Sequence, residues 1–312
     1  MRAVAVREFR AEPEVIDVPR PEPGPGELLV RVDTAGLNPF DWQIIDGALA
    51  EVFPHTFPLV VGMDFAGHVE SAGPGVSRFS AGDAVFGQVK VVAGGSYAEY
   101  AIVAETGAVA AVPEGLSLRA AAALPTAGST ALGILQAARV RAGESLLVVG
   151  AAGGVGSYLT QLAAANDVRV LAAVRGNEQQ RMGSLGAAVV IDSTVDKVAE
   201  RVREEYPDGV DALVDLVSDD SAFAHNAALV HNGGVALTSR QVADTEALKS
   251  AGVEGINYEN GITTAQLAQL AAEVADGRLK VAVDAEVPLA EAPAAVRKSR
   301  SGGARGKTVI VI

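Results

Sequence analysis

Apolar and polar positions alternate through the first third of the chain. Residues 2–6, 15–18 and 28–35 read as short strands. The run LVVGMDFAGHVESAG after Pro58 reads as a strand interrupted by Gly62 and Gly67. Residues 84–92 and 97–103 add two more strands, and turn residues at 19–27, 73–75 and 81–83 separate the segments. Short strands with regular turn signals predict a distorted barrel or sandwich. Near Ser117 the pattern becomes alanine-rich and helical, broken at Pro125. Strands at 146–149, 168–174, 188–192, 210–217 and 234–238 then alternate with helices at 156–166, 178–185, 196–206 and 221–230. That alternation predicts a doubly wound parallel sheet, so the fold class is α/β. The chain closes with helices at 264–275 and 289–298 and a strand at 307–312. A terminal strand needs a sheet to join. A return to the N-terminal β domain gives one domain of residues 1–118 completed by 265–312, a second of 119–264, and a cleft between them.

One stretch organises the second domain. An apolar run stops at a turn reading Ala151-x-Gly153-x-x-Gly156, with Gly154 and Val155 inside it, and a helical pattern follows. A buried strand that feeds small residues and then a helix N-terminus makes a cradle for a dinucleotide pyrophosphate. The carboxylate that holds ribose hydroxyls in NAD sites sits about 20 residues on, and here that spot is Ala173. No Asp or Glu lies between Val168 and Asn177, while Arg175 follows and Arg181 opens the next helix. A missing carboxylate removes repulsion against a 2′-phosphate, and an arginine offers a charged fork. These residues predict NADPH over NADH. Each arginine has a plainer reading as a solvated cation.

Composition removes several classes. The formal charge of −13 disfavours nucleic acid and anionic membranes as partners. With no cysteine, disulfides, thiolate nucleophiles and cysteine-ligated zinc are out. The four histidines, at 55, 68, 225 and 231, show no metal-ligand spacing, so no metal is expected. The start MRAVAVREF lacks a secretory core and no apolar run spans a bilayer, which makes the cytoplasm the expected location.

Six segments in order carry a family resemblance: PEPGPGELLVRVDTAGLNPFDW, VVGMDFAGHVESAGPGVSRFSAGDAVFG, GGSYAEYAIV, ALPTAGSTAL, VRAGESLLVVGAAGGVGSYLTQLA and GGARGKTVIVI. With these the chain resembles the zinc-independent medium-chain dehydrogenase/reductase superfamily in its quinone oxidoreductase (zeta-crystallin-like) branch. The resemblance implies a GroES-like N-terminal domain, a Rossmann domain and NADPH with its nicotinamide facing the first domain. Zinc-dependent relatives would carry Cys at Asn38 and His at Met63. It further implies hydride transfer to a quinone or another α,β-unsaturated carbonyl, and a homodimer formed at an exposed strand edge, residues 234–238 or the neighbouring strand. The Asn-Pro-x-Asp-Trp form and Gln43, where well-known quinone reductases have tyrosine, leave 2-alkenal or enone reduction as an alternative. An NADPH-binding protein with little turnover is a third reading.

The resemblance places the loop with Asn38 and Asp41 at nicotinamide and substrate. Asn38 would donate to a substrate oxygen or cofactor hydroxyl, or close its own turn. Asp41 would orient a ribose hydroxyl or water, or cap a turn. Trp42 is either pocket wall or core. Thr126 and Thr130 match the segment beside the nicotinamide ribose. Ser193 follows the third sheet strand near the expected adenosine ribose. Val217, Leu237 and Thr238 end later strands, where ligands bind in open α/β sheets, so cofactor contact and sheet core are both open. Lys307 is read as a phosphate ligand or an edge-strand charge facing solvent. Asp64 and Asp83, in GMDFAG and AGDAV, read as turn carboxylates.

Overall fold

In β1 (Arg2–Val6), four successive residues from Ala3 are fully buried. The strand accordingly lies in the middle of a three-stranded antiparallel sheet, between β2 (Glu14–Asp17) and β4 (Leu59–Val60). β3 (Glu27–Gly36) is the long strand of a second sheet, and a short helix that the sequence pattern did not predict, α1 (Pro39–Ile45), follows it. Pro39 at the first helical position and Asp41 in the first turn are ordinary helix-start residues, but a helix of seven residues is too short to show a periodicity. β5 (Asp64–Ala72), β6 (Ala84–Gln88), β7 (Tyr100–Ala104) and β8 (Val109–Ala111) extend this sheet. Residues 91–92 of the strand expected at 84–92 lie outside the described residues, which are 1–52, 54–90, 94–302 and 305–312 of this computed structural model. α2 (Leu118–Ala122) and α3 (Pro125–Ala138) come next.

The chain divides into two units. One comprises Met1–Ser129, Ile262–Gly277 and Val281–Ile312, the other Thr130–Gly261 and Arg278–Lys280. The first division falls within α3, later than the pattern change expected after residue 118, because a continuous helix shows no break in its periodicity where its partners change.

The second unit holds a six-stranded parallel sheet. Its elements are β9 (Ser145–Val149), α4 (Gly154–Ala165), β10 (Arg169–Val174), α5 (Gln179–Ser184), β11 (Val189–Asp192), α6 (Val198–Glu205), β12 (Val210–Asp215), α7 (Asp220–Ala227), β13 (Val230–Thr238), α8 (Thr245–Ser250) and β14 (Glu254–Asn257). The order β11-β10-β9-β12-β13-β14 reverses direction between β9 and β12, the switch point at which open α/β sheets bind ligands. β14, whose EGIN sequence carries almost no strand signal, takes the edge, so β13 is internal and cannot be the exposed edge expected at 234–238.

α9 (Thr264–Ala275), β15 (Val283–Pro288), α10 (Ala292–Arg300) and β16 (Lys307–Val311) complete the first unit, apart from the residues that belong to the second. Its large sheet runs β15-β16-β3-β5-β6-β8, with β7 paired to β3. β16 therefore lies inside the sheet, parallel to β15 and antiparallel to β3, and is not the edge strand its terminal position suggested. No described helix is long and apolar enough to cross a membrane.

Candidate active site

β9 delivers the chain to the glycine turn. The N–H groups of Gly150 and Ala151 both donate to the Ala173 carbonyl, at 3.1 and 3.2 Å, and fasten the turn to β10. Gly153 caps α4 without a side chain. At Gly156 a Cβ would lie 2.5 Å from the Gly150 oxygen and 2.6 Å from the Ala151 Cα, so only glycine lets the helix start this close to the strand. The first-turn N–H groups of α4, from Gly154, Val155 and Gly156, have no intrahelical acceptors. Beside them, Arg181 Nη1 donates to the Ala152 oxygen at 3.1 Å and pairs with Glu178 at 3.3 Å. Arg181 Nη2 is buried and has no hydrogen-bond partner among the described residues. With its side chain 24% exposed, Arg181 is a brace under the turn and not a solvated cation. Bare backbone donors, missing Cβ atoms and a buried unpartnered cationic N–H fit the phosphates of a dinucleotide.

Ala173 is buried in β10, and Arg175 is exposed just beyond the strand end. One carboxylate that the spacing did not reveal reaches this loop from the neighbouring strand. Asp192 Oδ1 accepts from Gly176 N, Thr194 N and Thr194 Oγ1, at 2.8, 2.9 and 2.6 Å. The Thr194 hydrogen bonds hold its carboxyl below the usual range, so Asp192 is an anionic staple across two strand ends. Ser193, expected near a ribose, donates its hydroxyl to the Val174 carbonyl at 2.9 Å. Val217 lies past the end of β12 and is 60% exposed. Its side chain covers Gly150, where a Cβ would meet it at 2.7 Å. Leu237 and Thr238 are fully buried, so their side chains belong to the sheet core.

The first unit assembles a buried polar network from five separate segments. Asp64 opens β5 opposite Gly36 of β3 on one side and Gln88 of β6 on the other. It is wholly buried, against the expectation of a turn carboxylate. Its Oδ2 accepts from Asn38 Nδ2 at 2.8 Å and Thr126 N at 3.0 Å, and its Oδ1 accepts from Thr126 Oγ1 at 2.6 Å. Lys307, at the start of β16, donates Nζ to Asn38 Oδ1 at 2.6 Å and to the Leu37 carbonyl at 3.0 Å. Lys307 is thus neither solvent-facing nor presented to a phosphate: at 3% exposure it is an internal ammonium. Asn38 is also 3% exposed. With one end of its amide on Lys307 and the other on Asp64, the expected donation to a substrate oxygen gives way to an internal one.

Asp41 reaches back to the Asn38 N–H at 2.7 Å, the capping reading, and Oδ2 also accepts from the Tyr97 hydroxyl at 2.5 Å. Its Oδ1 is buried with no partner among the described residues. The Tyr97 ring sits on Gly62, which has φ +91° and where a Cβ would lie 2.2 Å from the ring. Two carboxyls and one ammonium in this dry setting cannot all keep their charges and balance. Burial pushes Asp41 up to about 7, opposed by the hydrogen bonds from Tyr97 and Asn38. Burial also raises Asp64, opposed first by the Lys307 charge, and lowers Lys307, opposed by both carboxylates. Asp64 has three donors and the ammonium near it; Asp41, with two donors on one oxygen, holds a proton up to about 7.

Thr126 sits between this network and a cavity. Its hydroxyl donates to Asp64 and accepts from Gln88 Nε2 at 2.8 Å. Thr130, one turn along α3, is 7% exposed. The cavity, about 820 Å³, lies within the first unit. Phe40, Leu49, Met63, Val89, Ile102 and Ile262 give it apolar walls, and Gln88 lies among its polar lining residues with Glu27 and Lys90. Phe40 lies in α1 and Leu49 just beyond it, in a part of the chain where the sequence pattern predicted no element. Trp42 packs instead against the core formed by Val4, Ile45, Tyr97 and Ile310. Sequence reasoning missed Asp64, Tyr97 and Gln88. The one available signal, an acid at a strand start, occurs equally at Asp83, which is exposed and accepts from Ser80 N in a surface turn.

Residues 24–114 match the alcohol dehydrogenase GroES-like domain, and residues 185–310 match the zinc-binding dehydrogenase family. The first unit is thus GroES-like and the second Rossmann-like. Among the described residues no three His, Asp or Glu side chains converge as metal ligands. The chain is 31% identical to the quinone oxidoreductase of Mus musculus over 332 residues, covering 100% of this chain and 98% of that protein. It superposes on the quinone oxidoreductase from Coxiella burnetii with a TM-score of 0.91 at 26% identity, covering 100% and 99% of the two chains. A mycobacterial protein solved in complex with NADPH matches with a TM-score of 0.87 at 30% identity, each chain covered completely. The chain belongs to the quinone oxidoreductase branch of the medium-chain dehydrogenase/reductase superfamily.

Proposed function

We propose that this protein is an NADPH-dependent, zinc-independent reductase of quinones or other conjugated carbonyl compounds. The observation that carries the cofactor reading is the bare glycine cradle with the unpartnered Arg181 N–H beside it. The relatives named quinone oxidoreductase support the acceptor class. Gly153 to Gly156 would hold the pyrophosphate through backbone N–H groups, Arg175 the 2′-phosphate, and Thr126 and Thr130 the neighbourhood of the nicotinamide ribose. NADPH supplies the hydride when bound. The residues of the chain exclude water, hold the acceptor and stabilise the oxygen on which negative charge develops. A conjugated acceptor is already activated, so no side-chain nucleophile and no Lewis-acid metal is required for it. In this reading Asn38 and Asp41 are supports: they fix the start of α1, from which Phe40 reaches the cavity wall. Gln43 in place of tyrosine favours acceptors of the 2-alkenal and enone type as the second reading. Cytoplasmic location and a homodimer joined at β14, the edge strand beside β13, complete the proposal.

The test is NADPH and NADH oxidation with a panel of 1,4-quinones, 2-alkenals and enones, beside direct titration of both cofactors. Acceptor-dependent oxidation with NADPH preferred is the expected result. Tight NADPH binding without any acceptor-dependent oxidation would identify a binding protein instead. Equal affinity for the two cofactors would sink the NADPH preference. Light scattering reads the dimer, and a monomer would overturn that part alone.

A further inference from the structure

The buried network has an outlet. Thr126 has one hydroxyl hydrogen, and the Asp64 carboxylate takes it at 2.6 Å. The Thr126 oxygen can then only accept from Gln88, and so it receives Gln88 Nε2 at 2.8 Å. This settles which end of the Gln88 amide faces Thr126. Gln88 sits beside Asp64 across the strands, is half-buried, and lines the 820 Å³ cavity. One amide hydrogen is spent on Thr126. The second N–H belongs to a side chain whose orientation is fixed from behind by two hydrogen bonds in series, ending on a fully buried carboxylate. Around it the walls are mostly apolar: Phe40, Met63, Val89, Ile102. A cavity of this size with a pre-oriented amide donor suits a flat, apolar ring compound that carries a carbonyl oxygen.

We infer that the cavity is the acceptor site and that Gln88, held by Thr126 and Asp64, donates its second amide N–H to the acceptor's carbonyl oxygen. This rests on the proposed acceptor class but not on turnover. Gln88 is then a specificity-determining residue: it selects an oxygen-bearing ring over the bare hydrocarbon. Thr126 and Asp64 are positioning residues behind it.

The experiment is calorimetric titration of 1,4-naphthoquinone and of naphthalene into the protein and into Gln88→Leu, Gln88→Glu and Thr126→Val. The parent is expected to bind the quinone about tenfold more tightly than naphthalene, the discrimination of one hydrogen bond. Gln88→Leu should abolish that preference while leaving naphthalene affinity within about twofold, which also reports an intact cavity. Gln88→Glu at pH 8 should lose it too, because a carboxylate has no donor. Thr126→Val should weaken it less, by freeing the amide. NADPH titration of each Gln88 variant should match the parent, so failure of the cofactor reading shows separately as absent NADPH binding in all of them. Undiminished quinone preference in Gln88→Leu overturns the assignment, and so does absence of quinone binding to the parent, whatever the oxidation assay reports.

Discussion

The glycine turn and the buried polar network reach function by opposite routes. The turn works by having almost no side chains. Its donors are backbone N–H groups, its geometry is local, and Gly156 matters because of the atom it lacks. The network is organised by charged and polar side chains, with a few backbone groups joining in. It draws Asn38 and Asp41 from one loop and helix, Asp64 from β5, Tyr97 from the approach to β7, Thr126 from α3 and Lys307 from β16. A local device survives as long as its few neighbouring residues do. A dispersed one depends on every strand keeping its register, and removing one charge leaves the others stranded in a dry interior.

The largest effect is expected of Lys307→Met. The change leaves the Asp64 carboxylate without its ammonium and should cost about 3–5 kcal/mol in urea unfolding. Adding Asp64→Asn should return part of that loss, and a double-mutant cycle with no coupling would show that the network is not held by charge. Next in size is the pH response of Asp41. In the fold it keeps its proton up to about 7, against 3.8 for the ordinary value expected of the unfolded chain. Its contribution is therefore full below pH 3.8 and is lost as pH rises through about 7. Asp41→Asn keeps an acceptor for the Asn38 N–H and the Tyr97 hydroxyl and removes the titration. Its unfolding free energy should decline less across that window than the parent's, by roughly 2–4 kcal/mol. Parallel pH profiles for the two proteins would contradict the assignment of the proton.

The turn should respond differently. Gly156→Ala adds one methyl group against backbone, and should cost about 1–3 kcal/mol of stability. NADPH affinity should fall by at least about tenfold with it, because the cradle is the backbone that must shift. A variant that loses stability but binds NADPH normally would detach the turn from the cofactor. Arg175→Ala touches no packed atom. It should raise the NADPH dissociation constant about tenfold and leave that for NADH unchanged. The smallest effect belongs to Lys197→Ala, which removes an exposed pair with Glu200 on α6. A stability change within about 0.5 kcal/mol there sets the floor against which the others are read.

Legibility follows the same division. Ala151, Gly153 and Gly156, the helix after them and the strand–helix alternation all lie within one continuous segment, and periodicity with turn chemistry reports local conformation. β14 and β15 were not legible, because EGIN and VDAEVP are stabilised by pairing with neighbours and not by an apolar pattern of their own. Asp64 and Asp83 make the point at single-residue scale. Both are acids with a glycine close by in sequence; Asp64 opens β5 and is wholly buried, whereas Asp83 sits in a surface turn and faces water. Leu237, a strand-end position open between ligand contact and sheet core, has its side chain in the core.

By itself, the amino-acid sequence determined the two kinds of sheet, the place and start of the dinucleotide-type turn, the absence of cysteine ligation and the missing carboxylate at Ala173. Each of these is a property of neighbours in the chain or of composition. Only the tertiary structure decided that Lys307 is an internal ammonium, that Asn38 and Asp41 face inward, that Asp192 staples the loop after β10 and that Gln88 stands at a cavity with its amide oriented. Those outcomes depend on strand order and register, which bring together residues as far apart as Asn38 and Lys307, and no local pattern encodes a distance between them.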